Sequence, residues 1–258
     1  MKSNFLNRKN YILEKLEAEG QIDTAKLAEE LNVTKETLRK DLTSLEEKRL
    51  LIRTHGGALR ADSSSPAIAQ TAYRQMLHRE EKEKLCRAAA SLIKDGDTIY
   101  IDGSTTCFSI LKFIDPSIRI TVITNSIQLI VESEEYISDK ILVFLVGGIY
   151  VKAFHSCFGD MAIKMSSSFH PNKAFFSFMS LDDEGNLYDA DMYGVDLKKH
   201  FTANTESVYF LLDHSKIGKR GGISLIAVDA ADVIITDDRI TEQQRMILEC
   251  FRKKLLIV

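Results

Sequence analysis

Seven short apolar runs limit what this chain can fold into more than any other feature. They read "TIYID", "ITVITN", "ILVFLVGG", "KAFFSF", "SVYFLLD", "VIITD" and "KLLIV", and all lie after residue 95. Most are nearly continuous apolar stretches, the pattern of strands covered on both faces. Between several of them the spacing predicts helices, at residues 105–114, 127–134, 160–167 and 242–253. Alternating strands and helices predict an α/β domain with a doubly wound, largely parallel sheet. Ligands in such sheets bind outside the carboxyl ends of the strands.

The first sixty residues follow a different period. In "RKNYILEKLEAEG", Ile12, Leu13 and Leu16 share one helical face, and Gly20 is a stop signal. "DTAKLAEELNV" predicts a second, shorter helix with Leu27, Ala28 and Leu31 inward. "TKETLRKDLTSLEEKRL" predicts a third, with Thr34 as its cap and Glu36 in the first turn. Leu38, Leu42 and Leu45 face the core, which leaves Lys35, Thr37, Arg39 and Lys40 outward near the helix start. Two short helices joined by "NV" make a helix-turn-helix whose second helix suits the major groove. "LLIRTHGGALR" then reads as a hairpin around His55, Gly56 and Gly57, the wing of a winged helix, with Arg53 and His55 placed for the phosphate backbone. The plain alternative is three solvated helices. Capping, spacing and wing together favour DNA, with Thr34, Lys35, Thr37, Arg39, Lys40, Arg53 and His55 as its contacts.

Composition supports this division. The net charge of −3 argues against nucleic acid for the chain as a whole. Residues 1–60, however, hold 12 Lys and Arg against 10 Asp and Glu, so the rest carries −5. "RADSSSPAIAQTAYRQ" has little periodicity and predicts a linker. The expected domains are therefore residues 1–60, a linker 61–79, and an effector domain 80–258. No apolar run reaches the ~20 residues of a membrane span, and the N-terminus lacks an apolar signal core. Cys86, Cys107, Cys157 and Cys250 are widely spaced, which predicts reduced, buried thiols in a cytoplasmic protein with no metal site.

Three strand ends carry residues fit for a ligand. Asp102, Gly103, Ser104, Thr105 and Thr106 follow the first strand, Thr124 and Asn125 the second, and Gly147 and Gly148 end the third. Glycine lets a backbone approach a ligand, and hydroxyls at a helix start favour phosphate. Asp102 would repel phosphate and suits a sugar hydroxyl. In "LLDHSKIG", Lys216 stands near the same edge as a neutralising charge. Singly, each has a plain explanation as a cap, a turn or a solvated lysine. Together at strand ends of one sheet they favour a phosphorylated small molecule.

"LAEELNVTKETLRKDLTSLEEKRLLIRTHGGAL" resembles the N-terminal signature of the DeoR family of bacterial repressors. Arg39, Lys40, Asp41 and Leu42 stand at the family's "RRDL", and His55, Gly56, Gly57 and Ala58 at its "HGGA". Arg49 stands where the family has glycine. "GDTIYIDGSTT", "TVITNS", "LVGG" and "LLDHSKIG" resemble the effector-domain motifs, so the likeness spans nearly the whole chain. The resemblance implies an effector fold similar to ribose-5-phosphate isomerase. It also implies a phosphorylated sugar as ligand, double-stranded operator DNA as partner, and a homo-oligomer, dimer or tetramer. Two departures stand out. The family's "DKAFIGASGI" is here "NKAFFSFMSL", with Asn172 for Asp and Ser177, Phe178 and Met179 for small residues. Asp196 also replaces a Glu.

Aldose–ketose isomerisation needs a carboxylate base beside the C2 proton. The strand "KAFFSFMS" holds no acid, and "LDDEGN" after it reads as an exposed turn. The expected function is a repressor of a sugar-metabolism operon, with no catalytic residues, cofactor or membrane partner, whose operator affinity a phosphorylated sugar modulates. The alternative is a sugar-phosphate isomerase-like enzyme with an appended DNA-binding domain. A third reading is a regulator that has lost its ligand.

Overall fold

Helix ends govern the front of the molecule. The computed structural model describes residues 2–60, 67–189 and 192–258. It divides into two units, 1–79 and 80–258. In the first, α1 (Lys2–Glu19) stops at Gly20, which takes a positive φ of 75° and bonds back to Leu16 O. A short strand β1 (Gln21–Asp23) leads to α2 (Thr24–Glu30), whose cap is the Asp23 carboxylate accepting the Ala25 and Lys26 N–H groups. Asn32 (φ 51°) then turns left-handed; its N–H bonds to Glu29 O, and Val33 N–H to Ala28 O. This paired closure, a Schellman motif, is the turn of the helix-turn-helix. Thr34 caps α3 (Lys35–Glu47), and the same closure recurs at its end. There Arg49 (φ 58°) bonds to Glu46 O, and Leu50 N–H to Leu45 O.

The wing follows as β2 (Leu51–Thr54) and β3 (Gly57–Arg60), in a three-stranded antiparallel sheet ordered β1-β3-β2. Both of its glycines are compelled. Gly56 takes φ 110°, and a Cβ on Gly57 would stand 2.0 Å from Ile22 O. Ile12, Leu13, Leu16, Leu27, Leu38, Leu42 and Leu45 are fully buried in one core. Each contributes about 1.5–3 kcal/mol. The stretch expected as linker is partly structured. Residues 61–66, with Ser63–Ser65, lie outside the described residues, but Ala67–Met76 forms α4, and Ala72, Tyr73 and Met76 pack on this core. The apolar spacing of α4 hides in a stretch of small and polar residues.

The second unit opens with α5 (Arg79–Ser91) and β4 (Thr98–Ile101). It continues with β5 (Ile120–Thr124), α6 (Ile127–Ser133), β6 (Ile141–Leu145), β7 (Ile149–Val151), β8 (Ser156–Phe158), α7 (Asp160–Ser166) and β9 (Lys173–Phe176). Then come β10 (Ser180–Leu181), β11 (Asn186–Asp189), α8 (Val195–Ala203), β12 (Ser207–Leu211), β13 (Ile223–Ala227), β14 (Val233–Thr236), α9 (Glu242–Cys250) and β15 (Lys254–Ile257). The seven apolar runs form one all-parallel sheet, ordered β15-β14-β12-β9-β4-β5-β6. Its alternate residues face two cores. Ile99, Ile101 and Phe175 lie in one, with Leu85 and Ala89 of α5; Tyr100, Ala174 and Phe176 lie in the other, with Ala162 of α7 and Phe201 of α8. The chain winds from β4 to β5 and β6, then crosses to β9 on the other side of β4. The switch point of the winding therefore lies between β4 and β9, where a ligand crevice belongs.

Four sequence expectations change. Residues 105–114 form successive turns and a short 3₁₀ segment (Leu111–Phe113), not an α-helix. Their backbone bonds step by three, Cys107 to Ser104, Ile110 to Cys107 and Phe113 to Ile110. The small antiparallel pairings β7–β8 and β10-β11-β13 carried too short a period to be read, and α8 was not among the expected helices. In "LDDEGN", Asp183 and Glu184 are exposed, but Asp182 is buried. Burial alone would raise its pKa; N–H groups of Asn186 and Glu184 and the Tyr188 hydroxyl outweigh that and hold it at about 2. Finally, Cys86, Cys107 and Cys157 are buried, whereas Cys250 is exposed.

Arg49 adopts a conformation that costs a residue with a Cβ about 1–2 kcal/mol. Arg49→Gly is expected to stabilise the protein by about 0.5–1 kcal/mol, after glycine's greater chain entropy is subtracted. Urea unfolding followed by circular dichroism measures it, and an unchanged or lower midpoint would contradict this account.

Candidate DNA-reading face and ligand crevice

On the first unit, Leu38, Leu42 and Leu45 turn one side of α3 inward, so Lys35, Arg39 and Lys40 are exposed on the other. Thr34 is spent on capping: its Oγ1 takes the Thr37 N–H at 3.1 Å and lies 2.8 Å from Thr37 Oγ1. Glu36, Arg39, Lys40, Thr43, Glu47 and Arg53 border one shallow groove. Arg39 lies 3.9 Å from Glu36, an exposed pair of little strength. Arg53 is laid against α3, with Nη1 donating to Thr43 Oγ1 at 2.9 Å and its N–H to Glu46 Oε1 at 3.0 Å. His55 is exposed at the wing tip. Asp41, in the middle of the "RKDL" motif, points the other way. It is buried and paired with Arg8, which pins α1 to α3. The chain spacing of 33 residues gave no sign of that pair.

On the second unit, the crevice at the switch point is built from three strand ends. After β4, Asp102 is buried; its Oδ1 accepts the Ser104 N–H at 3.1 Å and its Oδ2 the Ser177 N–H, beyond β9, at 3.3 Å. After β12, Lys216 Nζ reaches across to Thr106 Oγ1 and Ser177 Oγ, each at 2.7 Å, with Asp213 at 3.6 Å. Ser104 Oγ is buried without a hydrogen-bond partner. Thr105 is partly exposed. Gly103 admits this packing, since a Cβ there would lie 2.8 Å from Ser156 Oγ and 3.2 Å from Ser126 Cβ.

The remaining expected residues follow the ends of β5 and β6. Thr124 is buried and accepts the Ser126 N–H at 3.1 Å. Asn125 takes the Tyr100 hydroxyl at 3.1 Å and donates to Cys157 O at 3.0 Å, tying β4, β5 and β8 together. Gly148 is forced by Phe158 O, 2.5 Å from its would-be Cβ, while Gly147 faces open space.

Sequence reading missed the central cation. Lys198 of α8 is buried and reaches Asp189 at 2.5 Å, Asp102 at 3.4 Å and Ser177 O at 2.7 Å. Burial opposes its charge, but Asp189 and Asp102 outweigh burial and hold its pKa above the ordinary value. Its Nζ also sits 4.2 Å above the Phe178 ring, so the bulk at Phe178 packs under the lysine. The missed signal was spacing: Val195, Lys198 and Phe201 share one buried helical face. Phe201 in turn stacks on Tyr100 at 3.8 Å.

A winged helix with outward cations, followed by a doubly wound domain with a lysine-bridged crevice, defines a DNA-binding regulator with a sensor domain. Residues 8–64 match the DeoR-like helix-turn-helix domain, and residues 77–238 the DeoR C-terminal sensor domain. The HTH-type transcriptional repressor GlcR of Bacillus subtilis is 34% identical over 88% of this chain and 86% of its own. The lactose phosphotransferase system repressor of Lactococcus lactis is 31% identical over 93% and 94%, and the glycerol-3-phosphate regulon repressor of Escherichia coli 27% over 89% and 90%. The chain belongs to the DeoR family; it is a transcriptional regulator and not an enzyme, and with its relatives named as regulators the isomerase alternative falls. Among solved structures, ribose 5-phosphate isomerase A of Methanocaldococcus jannaschii is similar at a TM-score of 0.40, with 15% identity over 55% of this chain and 56% of that one. Among the described residues no helix is long and apolar enough to cross a membrane.

Arg39→Ala and Lys40→Ala should each weaken binding to a mapped operator without lowering the melting temperature. A base contact would cost about 1–3 kcal/mol and relax preference at one position; a phosphate contact would weaken all sequences alike. Wild-type affinity in both variants would remove α3 as the reading helix.

Lys198→Met should cost about 3 kcal/mol at pH 7, since it leaves Asp102 and Asp189 facing each other. Denaturant titration at pH 7 measures the loss, and a change below about 1 kcal/mol would refute the cluster's role.

Proposed function

We propose that the protein represses a sugar-metabolism operon, and that a phosphorylated sugar in the crevice between β4 and β9 sets its affinity for double-stranded operator DNA. The observation that carries this reading is Lys216 Nζ bridging Thr106 Oγ1 and Ser177 Oγ at 2.7 Å each, with Ser104 Oγ of the same loop buried and unpartnered. A phosphate oxygen competes for a lysine held only by neutral hydroxyls and a carboxylate 3.6 Å away. The E. coli and L. lactis relatives are named as repressors of a glycerol-3-phosphate regulon and of a lactose phosphotransferase system, which supports control of a carbohydrate operon.

Asp102 carries a structural duty beside the sugar-hydroxyl acceptor role expected of it. It holds the cradle loop to Ser177 and Lys198. A ligand that takes Lys216 from Ser177 therefore disturbs a residue whose N–H serves Asp102 and whose carbonyl serves Lys198. The ligand shifts DNA affinity only as far as it prefers one arrangement of these groups. The reading includes a homo-oligomer, dimer or tetramer, because one winged helix covers one half-site, and it places the protein in the cytoplasm.

Thermal shift of the whole protein against a panel of sugar phosphates identifies the effector, since binding to the native state raises Tm. Operator titration at fixed salt then compares wild type with Lys216→Met. The variant should bind DNA like wild type and need at least about tenfold more effector for the same change. A response at the same effector concentration would remove the crevice as the sensor.

A further inference from the structure

Helix α7 turns Asp160, Met161, Lys164 and Met165 to solvent, and α8 turns Asp196 and Lys199 outward beside it. Asp160, Lys164, Asp196 and Lys199 border one open cleft with Ile163 and His200. None of these four charges forms an ion pair among the described residues, although the unit pairs many others. Exposed apolar side chains lie on or next to the same elements. Ile149 is 71% exposed, Met161 69% and Met192 67%.

Contacts link several of these residues. Ile149 pairs across β7–β8 with Phe158, whose ring lies 5.9 Å from that of Tyr193. Its Cδ1 lies 3.5 Å from the Cβ position of Gly159, directly before α7. Met165 Sδ accepts the Gly147 N–H at 3.4 Å, closing the patch from β6 to α7. A contiguous apolar surface of this kind marks an interaction site.

We propose that this face is where two copies of the chain meet, an inference that rests on the homo-oligomer in the reading above. The charges identify the occupant. Each helix carries an acid and, three or four residues later, a lysine. A two-fold axis presents the same patch on both copies, and with both signs on each patch there is an axis position that sets acids of one against lysines of the other. Two acids and two lysines make the cleft self-complementary and electrically neutral. A nucleic acid or an anionic membrane selects a net positive surface instead. Met161 and Met165 supply adaptable packing, and the four charges fix the register.

Analytical ultracentrifugation of the full chain at micromolar concentration tests the assignment. Wild type should sediment as a dimer or a multiple of it. Ile149→Glu with Met161→Glu should halve the assembly mass, with an unchanged Tm of the protomer because both side chains are exposed. Asp160→Lys with Asp196→Lys should do the same, as should Lys164→Glu with Lys199→Glu. An equimolar mixture of the two charge variants should recover the wild-type mass, a rescue that a merely structural effect does not produce. A monomeric wild type would remove the homo-oligomer itself. Variants that assemble like wild type, or charge variants that fail to recover on mixing, would overturn this face while leaving the oligomer standing.

Discussion

Lys198 carries a buried charge into the switch point of the sheet. Two carboxylates hold it, one from the loop after β4 and one from the end of β11. A third contact reaches the Ser177 carbonyl after β9. Burying one unpaired charge costs several kcal/mol, so these elements keep their relation only while the cluster is complete. The crevice depends on that relation. Ser177, held from below by Lys198 and from beside by Asp102, is also the residue that presents its hydroxyl to Lys216. A site made of groups that satisfy one another is poised to exchange partners with little reorganisation elsewhere.

The sheet was plain in the sequence because each of its strands is apolar on both faces, and all seven runs became strands of one parallel sheet. The reading helix was equally plain, since Leu38, Leu42 and Leu45 fix its inner face and Thr34 its start. Two kinds of feature were hidden. Short antiparallel pairs such as β7–β8 offer only three residues of alternation. Long-range polar pairs, Asp41 with Arg8 and Lys198 with Asp102, are separated by 33 and by nearly a hundred residues, and local pattern carries no trace of such pairing. The turns after Asp102 misled for a further reason. Cys107, Ile110 and Leu111 are all buried, a spacing that α-helical and three-residue periods share.

In the crevice, strand ends far apart in sequence come together. Thr106 and Lys216 meet as the strand ends suggested. Gly103 and Gly148 are held to glycine by close neighbours, and Asn125 bonds to the Tyr100 hydroxyl and the Cys157 carbonyl. The substitutions that distinguish this chain from the family pattern have visible consequences. Phe178 forms a platform under Lys198, and Asn172 joins Asp97 and the N–H of Thr98 at the start of β4.

Arg49 shows a trade that sequence evolution can tune. Its position asks for glycine, and glycine would carry no charge. By holding an arginine in a left-handed turn, exposed at the end of the reading helix, the chain accepts a less stable front unit in return for one more cation on its surface. Stability of this unit and its long-range attraction for a polyanion are thus opposing quantities at a single position. A lineage can move along that exchange by one codon without touching any residue of the reading face.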